Sequence, residues 1–568
     1  MDNPAPRQAA AVAGPWAGRW WTLLDRHLSR PGLVLATLFF ALSLTPSLLP
    51  RTPLIQGLLS GSAFAAGYGL GVFLQWVWDY TELRVPRHRY QLLSNLLVIL
   101  LCAGIAVFSL AQTTGWQNSV REAMGVAPVD DAHLFTVLAV AVGPAVLLIV
   151  LGSVLVHAVR LVFRRIHAFL PRRVALVLAL VIVGLATGVL VNGVLLRFAL
   201  HAADSFFEQL DRVTVQAGDP PRNPLHSGSA ASLIAWDTIG RDGRIYVESG
   251  PSQDDIARLI GRPALDPLRI YVGLRSAPSL AARAQLALQE MLRVGAFDRA
   301  VLVVIMPVGT GWVDPPGIDS LEYLLAGDVA SVALQYSYLT SPLSLIIEPD
   351  YGADAARALF STVYEYWTGL PPDGRPKLYL NGLSLGAHSS QASAQLLDLL
   401  GDPYDGALWV GPPYTSPIWR WATANRVAGT PEWLPVFGNS SAIRFANDGA
   451  QLGEPAGGWG PMRIGFLQYP SDPIVFFDWT ILYQAPDWLD EPRGPGVSAA
   501  LTWYPVVTLL QLGMDMALAP TSPVGFGHLY SADDYIEAWR ALIDPPGWDD
   551  AAIARLKAQI VTFPVGKS

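Results

Sequence analysis

The sequence predicts a protein of two parts, an all-α membrane domain over residues 1–200 and an α/β domain over residues 201–568. Two observations predict this division. Five long apolar runs fill the first part, and strand-like and helix-like segments alternate in the second, which is typical of a mostly parallel sheet covered by helices. A hydrophobic share of 52% with only 15% charged residues also fits a chain that lies partly in a membrane.

The apolar runs are long enough to cross a membrane as helices. Each approaches or exceeds the roughly 20 residues that span about 30 Å of hydrocarbon. Glycines at positions 57, 61, 67 and 71 of the second run form two small-xxx-small pairs, which predict close helix packing. The predicted spans lie near residues 33–49, 54–78, 92–111, 134–158 and 174–196.

Arginine placement predicts the orientation of these spans. Arginines are dense before the first run, after the second and after the fourth, and sparse in the other two loops. Because positive residues stay on the cytoplasmic side, the N-terminus is expected in the cytoplasm. Five crossings then place the second domain on the extracytoplasmic or periplasmic side, in contact with membrane lipids.

The strongest functional signal is Gly-x-Ser-x-Gly at residues 382–386, with Ser384 at its centre. A buried-strand pattern precedes it and a helix-forming segment, 387–400, follows it. Strand, sharp turn and helix with a serine at the apex are the context of a nucleophile elbow, whose helix amides face a developing oxyanion. The alternative is a tight turn with a surface serine, and it predicts no partner residues downstream.

A carboxylate and an imidazole follow Ser384 along the chain. Asp472 comes after the strand-like run 463–469, and His528 lies in a Gly-rich loop. A serine hydroxyl becomes a nucleophile when an imidazole takes its proton, and a carboxylate fixes the tautomer of that imidazole. The order Ser, Asp, His along the chain is the one found in α/β-hydrolases.

Other residues remain open for two of these roles. His388 is an alternative base, although it lies four residues after the serine on the same expected helix and points along that helix. Asp478 and Asp448 also follow short apolar runs, so either could be the acid or simply be solvated.

An oxyanion hole needs two backbone N–H groups. Leu385, the residue after the nucleophile, is expected to supply one, and a loop after an earlier strand should supply the other. The β-branched run 300–306 is the best central-strand candidate, and a Gly-rich loop follows it. We expect the N–H of Thr310 to be this second donor, with that of Gly311 as the second choice. The alternative is that the loop is a Gly-rich turn without a catalytic role.

Composition disfavours other function classes. The net charge of −8 argues against a nucleic-acid partner. The single cysteine, Cys102, lies in the third apolar run, which leaves no intramolecular disulfide and no cysteine-based metal site. No metal-ligand spacing or phosphate loop stands out, so no metal and no cofactor is expected.

Residues 499–518 look helical, although a final strand normally precedes the histidine loop in this fold. This segment could be a lid helix or a core helix, and the sequence does not decide between them.

Several motifs carry a resemblance to a known family. They are Ser43–Arg51, Gly67–Gly71, Thr310–Asp314, Gln335–Leu339, Ser384–Gly386, Asp405–Pro413, Ser471–Pro473 and Gly525–His528. On these stretches the chain resembles the bacterial membrane-anchored α/β-hydrolases, which join a multi-span N-terminal domain to an α/β-hydrolase domain. The resemblance implies an α/β-hydrolase fold in a bacterial inner membrane and makes Ser384, Asp472 and His528 the triad. It supplies no substrate.

The sequence thus predicts a membrane-anchored serine hydrolase, an esterase or lipase that cleaves carboxylic esters of lipids or acylated envelope components through an acyl-enzyme. An acyltransferase with the same triad is one alternative. A non-catalytic hydrolase-fold binding module is the other.

Overall fold

The computed structural model describes residues 29–81, 91–191, 219–339, 349–393, 401–455 and 457–560. The chain forms two compact units. The first comprises Met1–Pro46, Pro50–Ser119 and Pro128–Val183, and the second comprises Ser47–Leu49, Val120–Ala127 and Gly184–Ser568. Two short segments that precede residue 184 in the chain therefore belong to the second unit.

The described part of the N-terminal third is mostly helical. Its helices are α1 (Arg30–Ser43), α2 (Pro53–Tyr80), α3 (Gln91–Ala123), α4 (Leu134–His167) and α5 (Arg172–Gly188). Among the described residues, four helices are long and apolar enough to cross a membrane: α2, α3, α4, and α5 with its π-helical extension to Val191. The last five residues of the fifth predicted span, 192–196, lie outside the described residues.

The first predicted span, 33–49, is longer than the helix that forms there. Helix α1 has 14 residues and ends at Ser43. At about 1.5 Å per residue it rises roughly 21 Å, less than the thickness of the hydrocarbon layer. Pro46 and Pro50 lack the N–H that would continue the helix, which explains why the apolar pattern runs on beyond the helical structure.

The glycines of α2 allow close helix packing, as predicted. A Cβ at Gly61 would lie 2.2 Å from the carbonyl oxygen of Ala141 in α4. A Cβ at Gly67 would lie 2.4 Å from the carbonyl oxygen of Leu35 in α1. Any larger residue at either position would push the neighbouring backbone away, so small residues set the helix separation.

The second unit is built on a parallel seven-stranded sheet in the order β1-β3-β2-β4-β5-β7-β6. The strands are almost wholly buried, as expected for a parallel sheet covered on both faces. They are β1 (Leu268–Val272), β2 (Val301–Met306), β3 (Val329–Leu334), β4 (Lys377–Leu383), β5 (Gly406–Val410), β6 (Ile443–Ala446) and β7 (Arg463–Leu467).

Helices of the second unit connect and flank these strands. They are α6 (Arg241–Glu248), α7 (Gln253–Ile260), α8 (Leu280–Val294), α9 (Pro315–Leu324), α10 (Pro349–Thr368), α11 (Leu385–Ser393), α12 (Pro417–Ala424), α13 (Pro473–Phe476), α14 (Val507–Leu518), α15 (Ala532–Ile543) and α16 (Asp550–Ile560).

The approach to the histidine loop differs from expectation. Helix α14 begins at Val507, so the first eight residues of the helix expected at 499–518 are irregular. Pro505 lies among them, and Val506 has a positive φ of 66°, which is incompatible with a continuous helix. In the described part of the chain, no strand occurs between Leu467 and His528. The sheet edge beside β7 is instead taken by β6, which comes earlier in the chain.

Candidate active site

Ser384 occupies a strained turn between β4 and α11. Its φ is +56°, a left-handed conformation that is costly for a residue with a side chain. Two flanking glycines make the turn possible, because a Cβ at Gly382 would lie 2.4 Å from the carbonyl carbon of Gly386. A Cβ at Gly386 would lie 2.0 Å from the carbonyl oxygen of Met306, at the end of β2. The strand–turn–helix expected from the sequence is therefore present.

Asp472 and His528 form a buried pair at the end of β7. Nδ1 of His528 lies 2.7 Å from Oδ2 of Asp472, and the two side chains are 8% and 0% exposed. Oδ1 of Asp472 accepts the N–H of Ile474 at 2.9 Å, which caps α13. Oδ2 also accepts the hydroxyl of Tyr530 at 2.8 Å. Because both oxygens are bound, the carboxylate is held in one orientation.

Ser384 and His528 approach the same dipeptide at the end of β5. The N–H of Ser384 donates to the carbonyl of Val410 at 2.9 Å. A Cβ at the next residue, Gly411, would lie 2.7 Å from Cε1 of His528. Since β4, β5 and β7 are parallel neighbours, their carboxyl ends meet at one edge of the sheet, where open α/β sheets bind their ligands.

Among the described residues, the second ring nitrogen of His528 has no hydrogen-bond partner. Nε2 is buried and accepts or donates no hydrogen bond within the described ranges. Buried polar atoms are nearly always bonded, and exceptions often have a functional cause. The nitrogen opposite the Asp472 contact is therefore available to a substrate or nucleophile.

The alternative acids and base have local structural partners. Asp478 accepts the N–H of Thr480 at 2.7 Å, and Asp448 accepts that of Ala450 at 3.0 Å, so each caps a 3₁₀ turn. His388 Nδ1 lies 3.4 Å from the hydroxyl of Ser416, and burial lowers the pKa of His388. The carboxylate that pairs with His528 is that of Asp472.

The loop after β2 is held in place around Thr310. The hydroxyl of Thr310 donates a hydrogen bond to Oδ2 of Asp242 at 2.6 Å. The backbone carbonyl of Thr310 accepts a hydrogen bond from Nε2 of Gln335 at 2.9 Å. The N–H of Gly311 donates to the carbonyl of Val308 at 2.8 Å, so the second-choice oxyanion donor is already used within the turn. Leu385, the other expected donor, is the first residue of α11.

Asp314 is a third titratable group at this edge of the sheet, after Asp472 and His528. Its position at the site was not predicted from the sequence. It borders a small cavity with Val308, in the loop after β2, and Leu383, at the end of β4. Its Oδ2 accepts the hydroxyl of Tyr535 at 2.7 Å. Burial raises the pKa of Asp314 to about 7, and the hydrogen bond from Tyr535 and, to a smaller extent, the nearby His528 partly offset this rise. The only sequence signal was its position at the end of the motif Thr310–Asp314.

Within the described ranges, no group of three or more His, Cys, Asp or Glu side chains is placed to hold a metal ion.

A serine on a strained strand-to-helix turn, with a carboxylate–imidazole pair at the same edge of a parallel sheet, defines an α/β-hydrolase domain. The chain belongs to the alpha/beta-hydrolase family, whose model matches residues 268–556. A second model, for the N-terminus of the same family, matches residues 44–251. Comparisons with curated proteins and with solved structures gave no match.

Proposed function

We propose that the protein is a membrane-anchored serine hydrolase in which Ser384 is the nucleophile, His528 the general base and Asp472 the residue that orients the base. The observation that carries this proposal is the 2.7 Å contact between Asp472 and His528 Nδ1, at the same sheet edge as a serine on a strained turn. A buried carboxylate on Nδ1 keeps the proton there and leaves Nε2 to accept the serine proton.

The reaction follows from this arrangement. Oγ of Ser384 attacks the substrate carbonyl carbon while Nε2 of His528 takes the hydroxyl proton. The N–H groups of Leu385 and Thr310 hold the oxyanion, which collapses as the alcohol leaves with the proton from His528. Water, activated by the same nitrogen, then cleaves the acyl-enzyme. Catalytic hydrogen bonds often form only with substrate bound, which accords with the unpartnered Nε2.

The proposed substrate is a carboxylic ester of a lipid or of an acylated envelope component. Support comes from the four helices, within the described part of the chain, that are long and apolar enough to lie in a membrane. An enzyme tethered there meets acyl chains at high local concentration. An acyltransferase would use the same triad and differ only in the acceptor of the acyl group.

Turnover separates these activities. Full-length protein in detergent micelles, given p-nitrophenyl butyrate with and without glycerol, should release p-nitrophenol and butyrate if it is a hydrolase. Glyceryl butyrate as the main product would indicate an acyltransferase. Release equal to that of Ser384→Ala in both conditions would exclude a Ser384-dependent reaction with this ester and favour a binding module.

We also propose that the second unit, which carries Ser384, Asp472 and His528 and is called the catalytic unit from here on, is extracytoplasmic. The arginine-dense loop between α4 and α5 favours the cytoplasm, so a single crossing by α5 brings the chain to the other side. This argument does not depend on whether α1 crosses. Under this proposal, the segment before α2 and the segment at the end of α3 are expected on that same side. These are Ser47–Leu49 and Val120–Ala127, and both belong to the catalytic unit.

Single cysteines test this orientation. In a Cys102→Ala background, Asp373→Cys, at an exposed position of the catalytic unit, should react with an impermeant maleimide on intact spheroplasts. Arg165→Cys, at an exposed position near the end of α4, should react only after lysis. The reverse pattern would place the catalytic unit in the cytoplasm.

A further inference from the structure

A short segment far from the catalytic residues in sequence belongs to the core of the second unit. Ser47–Leu49 lies between α1 and α2, yet it groups with the catalytic unit. Leu48 and Leu49 are 0% and 2% exposed and join the same hydrophobic core as the strands of the sheet. Removal of these two leucine side chains from water stabilises the position of the segment in the core.

Asp515 fixes the backbone of this segment. Its Oδ2 accepts the N–H of Leu48 at 3.1 Å and that of Leu49 at 3.4 Å. Asp515 lies on the apolar helix α14 and is fully buried. A buried carboxylate is costly unless hydrogen bonds satisfy it, so these contacts hold α14 and the segment together. Because the donors are main-chain groups, the anchor does not depend on the leucine side chains.

Leu49 in turn contacts the loop that carries His528. A Cβ at Gly527 would lie 3.0 Å from Cδ2 of Leu49 and 2.1 Å from Oγ of Ser522. The N–H of Gly527 donates to Oγ of Ser471 at 2.9 Å. The residue immediately before His528 is thus enclosed by Leu49, Ser522 and Ser471, and Ser471 is itself the neighbour of Asp472.

We propose that Leu49 is a positioning residue of the active site, and that the segment Ser47–Leu49 completes the wall that fixes the His528 loop. The inference rests on the proposed function, since it takes His528 as the base. It gives a role to part of the motif Ser43–Arg51, which a purely anchoring N-terminal domain leaves unexplained. Small displacements of a catalytic group are costly, so the segment acts on turnover more than on substrate binding.

The test uses the full-length chain and compares two Leu-to-Ala variants. Leu49→Ala removes the contact with Gly527 but keeps the N–H that Asp515 accepts. Leu556→Ala removes a fully buried leucine of α16 and serves as the matched control for core loss. Both are measured for thermal midpoint, for the rate of fluorophosphonate labelling and for kcat and KM on p-nitrophenyl butyrate.

We expect Leu49→Ala to lower both kcat and the labelling rate on the order of 10-fold to 100-fold with KM nearly unchanged, whereas Leu556→Ala keeps both rates near wild type. If Leu49→Ala does not yield folded protein, Leu49→Val decides by the same criteria. A folded Leu49 variant that labels and turns over like the Leu556 control would overturn the inference. Failure of the wild type itself to label would instead count against the proposed function.

Asp515 provides an independent variant pair. Asp515→Asn retains an oxygen that can accept both N–H groups, whereas Asp515→Leu retains volume but has no acceptor. We expect the Asn variant to keep most of the wild-type kcat and the Leu variant to lose it as Leu49→Ala does. Equal kcat values for folded Asn and Leu variants would show that the anchor does not position the loop.

Discussion

The hydroxyl of Tyr530 donates to Asp472 through Oδ2, the same oxygen that lies 2.7 Å from His528 Nδ1. Tyr530 is fully buried, and burial beside this carboxylate raises the pKa of the phenol well above its ordinary value. The phenol therefore remains a donor throughout the working pH range. It restricts rotation of the carboxylate that orients the proposed base.

Tyr530→Phe removes this donor and keeps the ring. We expect kcat to fall several-fold, because Asp472 keeps its other contacts but is held less rigidly, and stability to fall by about 1 kcal/mol. The stacking of Tyr530 on Tyr469, with ring centroids 4.4 Å apart, is retained in the Phe variant. Steady-state kinetics and thermal unfolding check this, and an unchanged kcat would show that the hydroxyl serves stability alone.

Asp472→Asn should be far more damaging to activity. The amide favours the wrong tautomer of His528, and a loss of about 10³-fold to 10⁴-fold in kcat is expected for such a change in a triad. The matched controls are Asp448→Asn and Asp478→Asn, whose carboxylates only cap turns. Both should retain nearly full activity, and a large loss in either would reassign the acid.

The pKa of Asp314 predicts a stability effect with a defined sign. Because burial raises this pKa from 3.8 to about 7, the folded protein holds a proton between these pH values that the unfolded chain releases. The free energy of unfolding contributed by this group therefore falls as pH rises through that window and stays low above it.

Asp314→Asn removes this titration but keeps an acceptor for Tyr535. The thermal midpoint of the variant, relative to that of wild type, should therefore rise as the pH is raised from 4 to 7.5. Parallel unfolding scans of the two proteins measure this difference. Curves that run parallel over this range would contradict the buried, proton-holding state of Asp314.

The turn at Ser384 should tolerate no added side chain at Gly386. In Gly386→Ala, the new Cβ would lie 2.0 Å from the carbonyl oxygen of Met306, so β2 or α11 must shift, at a cost of about 1–3 kcal/mol or more. Gly374→Ala is the control, because a Cβ there meets nothing within 4 Å. We expect a clear drop in thermal midpoint for the first variant only, and equal midpoints would contradict the close approach.

The sequence predicted those parts of the fold and site that depend on local patterns. Strand β2 and the turn at Ser384 follow from apolar runs, glycine placement and helix-forming residues next to one another. The order of Ser384, Asp472 and His528 was visible because Ser384 and Asp472 each follow a strand-like run and His528 lies in a recognisable Gly-rich loop.

Features that depend on distant contacts could not be predicted. No local pattern distinguishes Tyr530 or Asp314 in the sequence. Folding brings Tyr530 to Asp472, and it brings Asp314 to Tyr535. Ser47–Leu49 is buried in the second unit, where its backbone is bonded to Asp515, more than 400 residues away. The end of α1 at Ser43 was also missed, because apolar residues continue past the point where Pro46 and Pro50 stop the helix.

Covalent labelling by a fluorophosphonate probe tests the central claim most directly, because the probe reacts with activated serines. Purified full-length wild type should label at one site, and Ser384→Ala and His528→Ala should not label although they remain folded. Absence of labelling in a folded wild type, or its persistence in Ser384→Ala, would contradict the assignment of Ser384 as the nucleophile.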